Sequence, residues 1–243
     1  MYSIKKIASP FIFLVFLLMN DLYAQPRLLA YSDIGSNNAS SGLFLKAATM
    51  GHYQLGKNSF DAGFQMDLIS SHKPLFSGFS GKISRQIVIK KLVFEIQGFY
   101  IYSPFSTDLK ETNWGILLDI NPKHFTIKFG TDFRTYAYNK SAAELYGFDQ
   151  SNKIHENWNL VYSLGYYVKQ HEHIWNLGLT ITNIDHFLIN QETNPAFNLR
   201  THYQVRSSVD LFLETWYKSA GAFNLSVNYF GFFVRTGIVW NIG

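Results

Sequence analysis

Residues 123–138 read KHFTIKFGTDFRTYAY, and their side chains alternate between two kinds. The odd positions from 125 to 133 carry Phe, Ile, Phe, Thr and Phe, whereas the even positions from 126 to 134 carry Thr, Lys, Gly, Asp and Arg. Successive side chains of a β-strand point to opposite faces of a sheet, so this stretch predicts a strand with one apolar and one charged face. The same alternation recurs along nearly the whole chain and indicates the fold class.

The first 24 residues have the composition of a cleavable export signal. Lys5 and Lys6 precede an apolar run at positions 11–19, and the stretch ends in Leu-Tyr-Ala at 22–24. The run is shorter than the roughly 20 residues that a membrane-spanning helix needs. We therefore predict a signal peptide over residues 1–24 and a single outer-membrane β-barrel domain over residues 25–243. The chain has no cysteine, so we expect neither a lipid anchor nor a disulfide.

Charge and composition restrict the class of protein further. The formal net charge is +4, and removal of the leader, with two lysines and one aspartate, leaves +3. The basic residues form no cluster of the kind that binds nucleic acid. Aromatic residues make up 17% of the chain and charged residues only 16%, which is typical of a protein that has lipid as one of its solvents.

Twelve stretches alternate in this way, and ten to fourteen strands are compatible with the pattern. The predicted strands lie at 26–35, 42–55, 59–70, 76–90, 91–103, 112–121, 123–138, 156–169, 173–185, 197–206, 208–218 and 222–242. Short and long connections follow one another in turn, as in barrels with tight periplasmic turns and longer outer loops. The sequence thus predicts an all-β fold, an antiparallel up-and-down transmembrane β-barrel with both termini in the periplasm.

The tryptophans fit the two interfaces of a membrane, where amphipathic rings are enriched. With this topology Trp114 and Trp158 face outward near the outer rim. Trp175 and Trp240 face outward near the inner rim. Trp216 has the opposite parity, and we expect it to pack in the interior.

The polar face of the strands predicts a charged lumen. By parity, its lining includes Lys128, Asp132, Arg134, Arg200, His202, Arg206, Asp210 and Glu214. Both signs are mixed, which favours cross-strand ion pairs over a ring of like charge that would select ions. A three-residue turn after Arg206 would place Arg206 opposite Asp210 and His202 opposite Glu214.

An enzymatic barrel is the alternative interpretation. Asp185 and His186 fall at the outer end of the ninth predicted strand, where a site acting on lipid A or phospholipid would lie. A hydrolase needs a serine, a histidine and a carboxylate or amide within reach of one another. His202 with Ser207 or Ser208 is a poor candidate, because those serines belong to a periplasmic turn.

No metal or cofactor is expected. His171 and His173 flank Glu172 in a tight turn, but a stable transition-metal site usually has three or four protein ligands. There is no glycine-rich loop leading into a helix that could hold a phosphate.

Several phrases resemble those of known barrels. LGLTITNIDHF at 177–187 and INPKHFTIKFG at 120–130 are similar to small outer-membrane barrels of the Bacteroidota. LGLTITNID followed by a loop and NLRTHYQV at 198–205 resembles the PorP/SprF-like membrane proteins associated with type IX secretion. The chain departs from the usual barrel terminus, because it ends in Trp-Asn-Ile-Gly at 240–243 rather than in an aromatic residue.

The pattern and the resemblance together lead to one functional expectation. We expect an integral barrel in the outer membrane of a Gram-negative bacterium, non-enzymatic, acting as a narrow channel or as a structural or accessory subunit of a surface or secretion complex. The barrel enzyme is the alternative, and a soluble periplasmic β-sandwich or lipocalin-like binder is a third reading that the apolar outward faces disfavour. The expected partners are outer-membrane lipid and lipopolysaccharide, with other envelope proteins left open and nucleic acid excluded.

Overall fold

The computed structural model describes residues 24–37, 43–69, 75–90, 92–104, 108–139, 144, 152–170, 175–218 and 230–242. These residues form twelve long strands and one short hairpin. The strands are β1 Ala24–Asn37, β2 Leu43–Leu55, β3 Asn58–Asp67, β4 Phe76–Ile89, β5 Leu92–Pro104, β6 Leu109–Ile120, β7 Phe125–Tyr138, β8 Lys153–Gln170, β9 Trp175–Thr182, β10 Ile184–Asp185, β11 Leu188–Ile189, β12 Ala196–Arg206, β13 Val209–Lys218 and β14 Phe230–Asn241.

The long strands close into one antiparallel barrel. Around the wall the order is β1, β14, β13, β12, β9, β8, β7, β6, β5, β4, β3 and β2. The first strand pairs with the second on one side and with the last on the other, so that Asp33 faces Lys46 and Arg235. The predicted all-β, up-and-down barrel of twelve strands is confirmed.

Burial in this barrel is the reverse of that in a water-soluble protein. Ile116 and Leu160 point outward and remain 59% and 51% exposed, whereas Arg134 and Arg235 point inward and are 1% and 2% exposed. A wall with apolar side chains outside and polar ones inside is what a barrel needs when lipid surrounds it. The alternation in the sequence corresponds to these two environments, with apolar residues facing outward and polar residues facing the lumen.

The two ends of the barrel differ. At one end the connections at 56–57, 121–124 and 207–208 are short turns, and this end also holds Ala24 and Asn241. We call it the short-turn end and the opposite one the long-loop end. No helix among the described residues is long and apolar enough to cross a membrane.

Two expectations about strands need correction. The ninth barrel strand ends at Thr182 rather than at position 185, because the chain turns away from the wall at Asn183. The register predicted for the pair now called β12 and β13 is wrong by two residues: Asp210 faces Gln204, and Glu214 faces Arg200. One residue of the difference comes from the turn, which has two residues instead of three, and the other from a bulge between Gln204 and Arg206.

In that register His202 faces Phe212, and Arg206 faces Val209. The last predicted span, 222–242, corresponds to β14 from Phe230 onward, and its earlier part lies outside the described residues. The predicted signal peptide also lies outside them, except for its last residue, Ala24.

Candidate functional site: a hairpin inside the barrel

One connection at the long-loop end folds into the lumen. Thr182 at the end of β9 pairs with Ala196 at the start of β12, so residues 183–195 leave the wall and return to it at the same level. Within this excursion β10 and β11 form a small antiparallel hairpin, with Ile184 facing Ile189 and Asp185 facing Leu188. We call residues 183–195 the plug hairpin.

Asn183 turns the chain inward. Its side-chain oxygen accepts a hydrogen bond of 2.7 Å from the backbone N–H of Tyr162, and its amide donates one of 2.7 Å to the carbonyl of Leu160. The amide also donates to the carbonyl of Asn190, at 3.3 Å, across the hairpin. The Asn183 side chain therefore satisfies β8 groups that a longer β9 would have paired, and it ties both arms of the hairpin together.

Three consecutive residues at the tip of the plug hairpin pack against three different parts of the wall. Phe187 belongs to a buried cluster with Tyr31, Ala48, Met50 and Phe212. Ile189 belongs to a second cluster with Phe99, Ile101, Leu117 and Val161. Leu188 packs on a third, made of Ala196, Trp216 and Phe233. The three hairpin residues thus complete apolar clusters formed by inward-facing side chains of the wall.

The tip also spans the lumen. The hydroxyl of Ser103 on β5 donates a hydrogen bond of 3.2 Å to the carbonyl of Phe187, while Arg235 of β14 donates to Asp185 in the first arm. These two strands lie five places apart in the ring of twelve, on nearly opposite walls. The hairpin is consequently a bridge across the barrel.

Arg235 on β14 fixes the first arm of the plug hairpin. Its guanidinium donates to both carboxylate oxygens of Asp185, at 2.9 and 2.6 Å, and to both of Asp33, at 2.7 and 3.0 Å. A carboxylate oxygen of Glu214 lies 3.6 Å away, and the guanidinium sits 4.1 Å from the centre of the Tyr31 ring. The two bidentate carboxylates use four of the five N–H donors of this buried arginine.

Arg134 on β7 fixes the second arm. Its Nη2 donates to the carbonyl of Ile189, at 3.2 Å, and its Nε donates to the side-chain oxygen of Asn113, at 2.9 Å. Glu111 is within 3.4 Å of the same Nε and accepts a hydrogen bond of 2.6 Å from Asn113. Arg134, Asn113 and Glu111 are all buried, so this network is shielded from water.

A cavity of about 400 Å³ lies on the short-turn side of the plug hairpin. Asp185 and His186 border it at the hairpin, and Arg27 borders it near the start of β1. Burial lowers the pKa of His186 to about 4, which keeps this imidazole neutral near pH 7. Burial opposes ionisation of Asp185, but the Arg235 guanidinium outweighs it and holds the pKa of that carboxyl below its usual range.

Most charges around the cavity are paired across strands. Asp61 accepts from His52, at 2.6 Å, and from Lys82, at 2.9 Å. Lys128 lies 3.0 Å from Asp119. These pairs have the two signs side by side, and they form no ring of one sign around the passage.

The lumen-facing residues predicted from parity occupy several levels of the barrel. Lys128, Arg200 and Glu214 line the cavity, and Arg200 lies 3.0 Å from Glu214. Asp132 and Arg134 are buried together at 3.8 Å, at the level of the hairpin.

The other three predicted residues lie nearer the short-turn end. The ring of His202 stacks on Phe212 with 5.7 Å between centroids. Arg206 is exposed and Asp210 is half-buried, close to the 207–208 turn. Neither belongs to the group that holds the hairpin.

The alternative catalytic pair has a different position from the one expected. Asp185 and His186 lie in the plug hairpin inside the lumen, not at an outer lip. The Asp185 oxygens both accept from Arg235, and the ring of His186 lies 6.0 Å from that of Tyr31. A carboxylate held in this way is an anchor for the hairpin and is unsuited to act as a general base.

Three functional residues were missed at the sequence level: Asp33, Glu111 and Asn183. Asp33 has the lumen parity of the first strand, and that parity was a usable signal. Glu111 precedes the predicted sixth strand by one residue. Asn183 has the outward parity of Leu177, Leu179 and Ile181, so its polar side chain breaks the alternation, and that break was a usable signal.

Trp114 and Trp158 face outward near the long-loop end and Trp240 near the short-turn end, all well exposed. The side chain of Trp175, and residues 171–174 with the two histidines considered for metal binding, lie outside the described residues. Within the described ranges, no three His, Cys, Asp or Glu side chains converge as metal ligands would.

Comparison with known proteins adds information on the fold. Two structures of the KdgM porin, one in complex with disordered oligogalacturonate, each cover 91% of this chain and 100% of their own, with TM-scores of 0.52 and 0.51 at 8% identity. Outer membrane phospholipase A from Escherichia coli covers 90% of this chain and 93% of its own, with a TM-score of 0.47 at 10% identity. No protein-family model and no curated protein sequence matches the chain. The likeness to the porin is one of fold.

Proposed function

We propose that this protein is an integral outer-membrane β-barrel that acts as a narrow, non-enzymatic channel, closed at rest by its plug hairpin. The single observation that carries the proposal is the position of that hairpin. It crosses the lumen from β5 to β14, and arginines on β7 and β14 hold its two arms. A barrel with a purely structural role could fill its lumen with side chains of the strands alone and would not need an inserted hairpin.

The location follows from the surface of the barrel and from its ends. The outward apolar band requires lipid around the wall, and a closed barrel is the all-β structure that can satisfy its backbone there. In such barrels the short turns face the periplasm and the long loops face outside. The plug hairpin would then close the outer part of the passage, and the cavity would open toward the periplasm.

The cavity indicates the kind of solute. Most of its charged groups are paired, with Asp61 beside Lys82 and Glu214 beside Arg200. Selection of one ion sign requires a ring of like charge, and these mixed pairs do not form such a ring. A lumen of twelve strands is narrow, so the channel would suit small polar solutes with little net charge.

Conductance across a planar bilayer tests the proposal. Because Thr182 faces Ala196 across the ladder, residues 183–195 can be replaced by a two-residue Asn-Gly turn that keeps the β9–β12 register. A second variant keeps the chain length and replaces Phe187, Leu188 and Ile189 by serine, which removes the three apolar contacts of the tip. We expect the parent protein to be closed for most of the recording and both variants to show steady open levels.

Silence of both variants, in a barrel that is folded and inserted, would overturn the channel proposal. It would favour the structural or accessory version, in which the protein is a closed subunit of a surface or secretion complex. The resemblance of 177–185 and 198–205 to PorP/SprF-like proteins of the Bacteroidota supports that version and suggests type IX secretion as its setting. Envelope proteins that bind the long-loop end would then be its partners.

A further inference from the structure

Two buried polar groups on opposite walls of the cavity have no hydrogen-bond partner. Ser80 lies on β4 and Asn198 on β12, six places apart in the ring of twelve strands, and both border the cavity beside the plug hairpin. Each residue is only 4% exposed. Among the described residues, no group forms a hydrogen bond with the Ser80 hydroxyl or with the Asn198 amide nitrogen. A buried polar group without a partner costs free energy, so two of them on one cavity indicate a ligand that completes them.

Further uncharged hydrogen-bonding groups border the same cavity. Thr180 faces Asn198 in the ladder between β9 and β12, and Ser163 lies on the neighbouring strand β8. A hydroxyl both donates and accepts hydrogen bonds, whereas an amide nitrogen only donates. These groups therefore match a solute that carries several hydroxyls, because each of its hydroxyls can act in either role.

One side of the cavity is apolar. Phe99 and Ile101 of β5 and Leu117 of β6 border it, and they belong to the buried cluster that contains Ile189 of the plug hairpin. The volume of about 400 Å³ lies in the range of small-molecule sites, which combine a mostly apolar lining with a few placed polar groups. The C–H face of a sugar ring can lie on such a surface while its hydroxyls reach the polar walls.

The charged groups of the cavity favour a solute without net charge. Lys82 lies 2.9 Å from Asp61. Arg200 lies 3.0 Å from Glu214. An ionic solute would have to compete with such existing pairs. Arg27 also borders the cavity and makes no ion pair within the described part of the chain, but it is exposed, so water and salt screen its charge.

We propose that this cavity binds one neutral polyhydroxy solute of monosaccharide size, held between Ser80 and Asn198 with its ring on the side of Phe99. The inference deepens the proposed function and rests on it for the route by which the solute enters. One bound solute supplies hydrogen-bond partners for both buried groups. A site built in this way discriminates against an analogue without hydroxyls, because that analogue leaves the polar groups of the site unpaired.

Saturation-transfer NMR on the intact barrel, in micelles of a detergent without sugar groups, tests the inference. The probes are D-glucose, its carboxylate relative D-glucuronate and its cationic relative D-glucosamine. We expect the parent to bind D-glucose saturably and more tightly than either charged probe. Ser80→Ala and Asn198→Leu should each weaken the binding of D-glucose by about 2- to 10-fold, which corresponds to the net contribution of one neutral hydrogen bond.

Matched controls make the same two changes at inward positions that do not border the cavity. Ser84→Ala on β4 and Asn176→Leu on β9 should bind D-glucose as the parent does. Unfolding in urea verifies that the cavity variants are folded. Ser80→Ala and Asn198→Leu each remove a polar atom that has no partner, so their unfolding midpoints should equal or exceed that of the parent.

Each contrary outcome would overturn the inference. These outcomes are no saturable binding by the parent, tighter binding of a charged probe, or an equal loss of binding in the control variants. Ordered water would then be the partner of Ser80 and Asn198. Conductance separates this result from the proposed function: open hairpin variants with no D-glucose binding by the parent overturn the site alone, whereas silent hairpin variants with binding by the parent overturn the channel alone.

Discussion

Arg235 on the last strand donates to both carboxylate oxygens of Asp185, at 2.9 and 2.6 Å, and so joins the wall of the barrel to the hairpin inside it. The same guanidinium binds Asp33 on the first strand, at 2.7 and 3.0 Å. One buried cation therefore holds both the seam where the barrel closes and the element that occupies the lumen. Closure of the wall and placement of the plug hairpin are consequently coupled.

The Asp185→Asn variant should open more often than the parent in planar-bilayer recordings. The change removes the charge from the hairpin end of the pair, and hydrogen bonds to charged groups contribute about 1.5–3 kcal/mol. The undocked hairpin should become roughly 10- to 150-fold more populated. Glu192→Gln, the same change at an exposed position of the plug hairpin, is the control. An Asp185→Asn barrel as closed as the control would contradict this role of the pair.

The Arg235→Met variant should be strongly destabilised. It leaves Asp33 and Asp185 buried without their cation, and breaking a buried ion pair from one side costs about 3–5 kcal/mol. Arg235→Lys should recover part of the loss, because an ammonium group keeps the charge but not the two bidentate contacts. Unfolding in urea from detergent micelles, followed by tryptophan fluorescence, measures the free energy. Arg206→Met, at an exposed arginine, should stay within about 0.5 kcal/mol of the parent, and a similar value for Arg235→Met would refute the argument.

The Asn183→Asp variant should loosen the plug hairpin while the barrel remains folded. A carboxylate at this position cannot donate to the Leu160 carbonyl, which the Asn183 amide now reaches at 2.7 Å. An unmade bond to a buried group costs about 1–3 kcal/mol, so amide hydrogen exchange at positions 184–189 should become roughly 5- to 150-fold faster. Asn157→Asp, at an exposed site of β8, serves as control. Unchanged exchange would show that the clusters around Phe187 and Ile189 position the hairpin without Asn183.

The Gly130→Ala variant should destabilise the barrel, whereas Gly51→Ala should be tolerated. A Cβ atom at position 130 would overlap the backbone oxygen of Ile116, and backbone cannot move aside as a side chain can. At position 51 the nearest atom would be 3.9 Å away. Inserting a group into a closely packed site costs about 1–3 kcal/mol. The two variants compared in the same urea titration provide the measurement, and equal midpoints would disprove the close approach of β6 and β7.

Much of the barrel was predictable because the signal for each strand is local. Lys128 faces the lumen, whereas its neighbour Phe129 faces outward. A pattern with a period of two residues can therefore be recognised without information from the rest of the chain. The parity of long and short connections then gave an even number of strands. The register of β12 and β13 was predicted wrongly, because the turn at 207–208 has two residues instead of three and a bulge near Gln204 shifts the pairing by one more.

The candidate site was far less predictable. Asn183 and Asp185 have the outward parity of Leu179 and Ile181, so the alternation already breaks at position 183, although β9 was expected to run to position 185. The contacts that turn the chain inward come from Leu160 and Tyr162, more than 20 residues away. A break in the local pattern indicates where a strand can end, but it does not show that the chain then enters the lumen.

The sequence by itself determined which side chains face lipid and which face the lumen, since each strand carries that choice in every pair of neighbouring residues. Only the tertiary structure decided that residues 183–195 turn inward and that Arg235 meets Asp33, 202 positions earlier, and Asp185, 50 positions earlier. The physical reason is closure. The first and last strands become neighbours only when the barrel is complete, and the buried charges on them then need partners that no local segment supplies.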